Sequence, residues 1–95
     1  KELWIRRAAM LFTFASLRIG NTKPTIEIAR ALLRDDHDLM HKAVGWALRE
    51  VGKRDPRELQ SFLEKNGKVM SRTTLRYSIE KFSTAERKRW LEVTR

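Results

Sequence analysis

The 95-residue chain has no cysteine, two prolines, four glycines and a single tyrosine. Without cysteine there are neither disulfides nor thiolate metal sites, which fits a reducing compartment, and the reading is of a cytoplasmic protein. Long apolar runs are also missing. The longest, "AAMLFTFASL", falls well short of the roughly 18–20 residues that cross a bilayer. Although it follows Arg6 and Arg7, no small-residue cleavage pattern comes after it, so it reads as a buried helix rather than a signal peptide. There is no glycine-rich phosphate loop, no Ser-His-Asp set and no cofactor motif, so no cofactor is expected. Acidic residues are scarce: 12 Asp and Glu stand against 21 Lys and Arg, a formal charge of +9. Such an excess favours a polyanionic partner, nucleic acid first among them.

What is present is helical throughout, since no segment shows strand-like alternation. A first helix is expected over Glu2–Leu17, ended by Gly20-Asn21 as a left-handed stop. A second starts near Pro24 and carries Ile26, Ile28, Ala29, Leu32 and Leu33, until "DDHD" breaks it. Asp35, Asp36 and Asp38 there suit a following helix start. That third helix runs from about Asp38 to near Gly52. In the fourth, Asp55 caps, Pro56 takes the first position and Glu58 completes a capping box. Leu59, Phe62 and Leu63 form its stripe before Asn66-Gly67 stops it. Ser71 caps a fifth helix with Leu75, Ile79 and Phe82 on its buried edge, and Ser83 opens a sixth holding Trp90 and Leu91.

About six helices with short loops imply antiparallel neighbours, read as three hairpins over about 2–34, 38–66 and 71–94. "WIRRAAML" from Trp4 and "MHKAVGWA" from Met40 resemble each other at a spacing of about 35 residues, which suits HEAT-like helical repeats in an α-solenoid. The expectation is therefore an all-α single domain, 1–95, forming the C-terminal part of a longer solenoid, with no oligomer expected.

The stretch "HKAVGWALREVGKRD" raises the functional question. At about 100° per residue, Lys42, Trp46, Arg49 and Lys53 share one face while Met40, Val44, Ala47 and Val51 share the opposite one. A helix needing only a dry face would keep its largest aromatic there, yet this tryptophan sits among cations. Indole can stack on a base or sugar and attract a cationic purine. Arg7 lies on a line with Leu11 and Phe14, with Arg18 beyond, and Arg72 and Arg76 are one turn apart. By the same geometry Glu50 points off the Lys42-Trp46-Arg49 face. His37 and His41 are four apart, but without converging further ligands no metal site is expected.

"LWIRRAAMLF", "LMHKAVGWALREVGKRDP" and "RTTLRYSIEKF", in this order, resemble the C-terminal part of the DNA alkylation repair enzyme family, the AlkD-like HEAT-repeat DNA glycosylases. The resemblance implies a superhelix with a basic surface that cradles duplex DNA, and hydrolytic release of N3- or N7-alkylated purines. It also places Arg7, Trp46 and Arg49 in the DNA-facing groove, the arginines near phosphates and the tryptophan near the lesion-bearing nucleotide. The family's key aspartate precedes "LWIRR" and has no counterpart here. Losing an alkylated purine leaves a sugar with oxocarbenium character that a carboxylate must stabilise, so this chain alone is expected to be inactive, with no catalytic residue of its own. The expected DNA-binding set is Arg7, Lys42, Trp46, Arg49, Lys53, Arg72 and Arg76, the expected partner is duplex DNA with an alkylated purine lesion, and no metal or membrane is expected. A non-catalytic helical-repeat module for RNA or an acidic protein is the alternative.

Overall fold

A computed structural model describes residues 2–34 and 37–94, with side chains from Ile5 onward. The helices are α1 (Glu2–Phe12), α2 (Phe14–Arg18), α3 (Lys23–Ala31), α4 (Asp38–Arg54), α5 (Pro56–Asn66), α6 (Arg72–Ser78) and α7 (Thr84–Val93), with a 3-10 turn at Gly67–Val69. No strand occurs among the described residues. The fold is all-α, of the helical-repeat kind. All six expected helices form, the first in two pieces.

That first helix breaks at Thr13, whose hydroxyl donates to the Met10 carbonyl at 2.7 Å. A hydroxyl competing with the helix ladder bends the chain at such a point. The α2 end matches the sequence reading: Gly20 has φ +85°, the left-handed region where a side chain would be strained. Gly67 does not match it, since its φ is −55°. The glycine there serves proximity, because a Cβ would come within 2.6 Å of Thr94 Cγ2.

Three of the starts follow their local signals. Asp55 accepts from the Glu58 N–H, Ser71 from Thr74 and Ser83 from Glu86. The Glu58 carboxylate does not close the expected box; it accepts from the Thr22 hydroxyl across the fold. At α4 the cap is His37, whose Nδ1 accepts from the Leu39 N–H at 3.2 Å. Asp35 and Asp36 lie outside the described residues. No helix is long and apolar enough to cross a membrane, and no metal-holding group of His, Cys, Asp or Glu occurs among the described residues.

Helix α4 is the centre of the molecule. It runs two residues past the expected stop at Gly52 and packs against α1, α2, α3, α5 and α6. Met40, Val44, Ala47, Leu48 and Val51, its inward stripe, are all buried. The first four meet Met10, Ala29, Leu59, Phe62, Leu63, Leu75 and Ile79 in one continuous core. Helix α6 comes closest at Gly45, where a Cβ would meet Tyr77 Cβ at 2.5 Å and the Thr74 carbonyl at 2.7 Å. Only glycine permits that approach. The Thr74 hydroxyl then donates to the His41 carbonyl at 3.1 Å, pinning α6 to α4.

Candidate nucleic-acid interface

With one face of α4 occupied by the core, the opposite face carries Lys42, Trp46 and Lys53 outward, with Arg49 mostly covered beside them. Trp46 is 38% exposed. The Phe14 ring meets it edge-on, with centroids 4.7 Å apart and planes at 68°. Such an edge contact fixes the indole while leaving ring surface free. The Arg49 guanidinium carbon lies 6.0 Å from the indole centroid, within cation–π range.

The cations around Trp46 are not equivalent. Lys42 reaches Asp38 one turn back at 3.7 Å, and Lys53 reaches Glu50 at 3.1 Å. The Lys42–Asp38 pair is exposed and of small worth, so a stronger anion can replace it, whereas Lys53 is exposed but its carboxylate partner is mostly covered. Arg49 is only 16% exposed and is paired with Glu80, on the turn after α6. Its Nε lies 4.0 Å from Glu50 and has no hydrogen-bond partner. The Glu50 carboxylate, expected to point away, joins this cluster instead. It is 17% exposed and serves Lys53, Arg54 and Arg49 together. Long side chains reach across the angle that separates their Cα positions, which a wheel projection does not show.

The remaining predicted residues fall elsewhere. Arg7 is half-buried on α1. Arg76 is exposed on α6 and makes no ion pair among the described residues. Arg72 is turned inward: its Nη2 donates to the Leu91 carbonyl at 2.7 Å and its Nη1 to the Thr94 hydroxyl at 3.3 Å, at the end of α7. Its charge serves the carbonyl end of a helix, which attracts cations. Three residues escaped the sequence reading: Phe14, Glu80 and Tyr77. Tyr77 is exposed and lies against Gly45, next to Trp46 along the chain. Thirty or more residues separate each from its partner on α4, so no local pattern announces them.

The assembled surface is an exposed indole, buttressed on one edge, among lysines and arginines whose counter-ions are the protein's own carboxylates. Comparison with known sequences agrees with the resemblance carried by α1, α4 and α6, for the sequence model of a family described as DNA alkylation repair enzyme matches residues 1–82. The chain belongs to the DNA alkylation repair enzyme family. Trp46 and the cations on α4 lie inside the matched span, whereas α7 (Thr84–Val93) lies beyond it. No curated protein and no solved structure matches the chain. Membership in this family supports a role in DNA alkylation repair.

Proposed function

We propose that the outer face of α4 binds duplex DNA, and that the chain is the DNA-binding part of a glycosylase releasing N3- or N7-alkylated purines. The observation that carries this reading is the exposed Trp46 set among Lys42, Arg49 and Lys53 on the helix opposite the core. Burying that indole in the core would have been cheaper, so its place outside supports contact with a ligand. In this reading Lys42, Lys53, Arg76 and Arg7 meet phosphates, Arg49 meets one when its carboxylate partner yields, and Trp46 lies against the lesion-bearing nucleotide. Arg72 contributes by holding α7 in place.

Binding and bond breaking separate in this proposal. The Glu50 carboxylate is committed to three cations, so it is poorly placed to face a forming oxocarbenium ion. The exposed Ile5, Leu11, Phe12 and Ile19 on α1–α2 support the stacking of a further helical repeat there, as solenoids require. The carboxylate is assigned to such a repeat.

Titration with duplex DNA in rising salt tests the reading. Roughly four to six phosphate contacts give a log-log slope of about −4 to −5. A flat slope overturns it. Preference for duplex RNA or an acidic peptide in competition replaces it with a non-catalytic binding module, and base release from alkylated duplex by these 95 residues would show the catalytic group to be misplaced.

A further inference from the structure

Arg49 and Glu80 are 31 residues apart and meet only because α6 crosses α4 at Gly45. The backbone that carries this carboxylate is held in place from behind. Arg87 Nη1 donates to the Glu80 carbonyl at 3.2 Å and to the Phe82 carbonyl at 3.1 Å, and the Phe82 N–H donates to the Ile79 carbonyl at 2.9 Å. The turn that carries Glu80 is thus tied at both ends. Its side chain is 58% exposed, while the arginine it meets is 16% exposed. Beside the pair, a hollow of about 210 Å³ is lined by Arg49, Lys53, Lys81, Gln60 and Phe82 among others. Lys81 makes no ion pair among the described residues.

A carboxylate and a phosphate oxygen ask the same thing of a guanidinium, a charge-assisted hydrogen bond from its N–H groups. Glu80 already takes the Nη1 donor and the unpaired Nε is buried, so a phosphate reaching Arg49 competes with Glu80 for its charge and its outer N–H groups. Of the three cations flanking Trp46 on α4, Arg49 is the most buried and the one whose counter-ion comes from another element. Its release therefore depends on how α4 and α6 are pressed upon together. We propose that Glu80 is a specificity-setting residue, an internal competitor that keeps Arg49 from the phosphates of undamaged duplex and of other loosely held polyanions, and yields only to a duplex seated closely over Trp46 and the α6–α7 turn. Loosely held polyanions then meet Lys42, Lys53 and Lys81 without recruiting Arg49. This inference rests on the reading of the α4 face as a DNA-binding surface.

The test compares Glu80→Gln with Glu64→Gln, an equal change in net charge on α5 beside a separate groove under Trp90. The probe is a short undamaged DNA duplex titrated across salt concentrations. Glu80→Gln should bind roughly three- to tenfold tighter at low salt, with a log-log slope steeper by about 0.9, one added phosphate contact. Glu64→Gln should gain less than about twofold with its slope unchanged, since a distant charge adds no contact. In an Arg49→Ala background, Glu80→Gln should do no more than Glu64→Gln. Equal slopes for Glu80→Gln and the parent protein overturn the competitor role, and so does weaker binding, which would make Glu80 a residue that presents Arg49 to DNA. Should Gln disturb the turn, seen as a lowered melting temperature, Glu80→Ala must reproduce the steeper slope or the inference falls. Absence of DNA binding by every variant removes the underlying reading as well, and that outcome is distinct from binding with equal slopes.

Discussion

Two tryptophan–arginine pairs among the described residues are alike in geometry and opposite in exposure. Trp46 has the Arg49 guanidinium carbon 6.0 Å from its centroid, and Trp90 has that of Arg89 at 5.6 Å. Trp90 is only 6% exposed. It is part of the main core cluster, on α7, and its indole N–H finds no partner. Trp46 keeps 38% of its surface outside, held by an aromatic edge and a cation bound elsewhere. The ring and the charge do not make a site. What distinguishes the two is whether ring surface remains after packing, and whether the cation has a counter-ion that a ligand can replace.

Substitutions should separate the pairs, and the largest effect belongs to the buried one. Trp90→Ala should cost about 3–5 kcal/mol, the penalty for emptying a large aromatic site in a core. Urea unfolding reads it, and a loss below about 1 kcal/mol would mean that α7 contributes little to the fold. Next comes Gly45→Ala. A methyl there runs into the Thr74 carbonyl and Tyr77 Cβ, which are backbone and near-backbone atoms that cannot swing aside, so about 1–3 kcal/mol is expected. By moving the turn that carries Glu80 away from Arg49, this substitution should also tighten binding to undamaged duplex, in the same direction as Glu80→Gln.

Arg72→Ala should follow at roughly 1–2 kcal/mol, because it strips donors from the Leu91 carbonyl and the Thr94 hydroxyl. Its salt slope for duplex DNA should equal that of the parent protein. A slope shallower by about one would restore Arg72 to the phosphate-contacting set. Trp46→Ala should be milder still for stability, about 0.5–1.5 kcal/mol for the lost contact with Phe14. Binding tells the two tryptophans apart: in a longer protein active on alkylated duplex, Trp46→Ala should lower base release while leaving affinity for undamaged duplex nearly unchanged, since stacking beside a lesion is local. The smallest effect is that of Arg89→Ala, within about 0.5–1 kcal/mol, because an exposed cation over a buried ring adds little.

The legible features were those that residues three or four apart decide between themselves. Asp55, Ser71 and Ser83 cap helices where their sequences say so, since a cap needs only a side-chain oxygen and an N–H two or three residues on. The Glu50–Lys53 and Glu50–Arg54 pairs, at three and four residues, could have been found the same way. They were missed because a helical wheel ranks positions by angle and ignores the reach of the side chain. Gly67 shows the opposite error. A glycine after an asparagine reads as a left-handed stop, but its lack of a Cβ is used here to admit Thr94 from the end of α7.

The sequence by itself determined that the chain is helical, that α4 has one apolar and one cationic face, and that a tryptophan stands on the cationic side. Those follow from periodicity, which is a property of one helix at a time. Tertiary structure alone decided which of these groups work together. Phe14 reaches Trp46 over 32 positions, Glu80 reaches Arg49 over 31, and Arg72 reaches the Leu91 carbonyl over 19. Each pairing depends on where a second helix crosses the first, and that crossing is set by core packing and by Gly45, where the absent Cβ lets two backbones meet. Arg49 and Arg72 are the same residue type and both were expected to face DNA. One is held by a replaceable carboxylate and the other by the carbonyl end of a helix, because different elements happened to pack beside them.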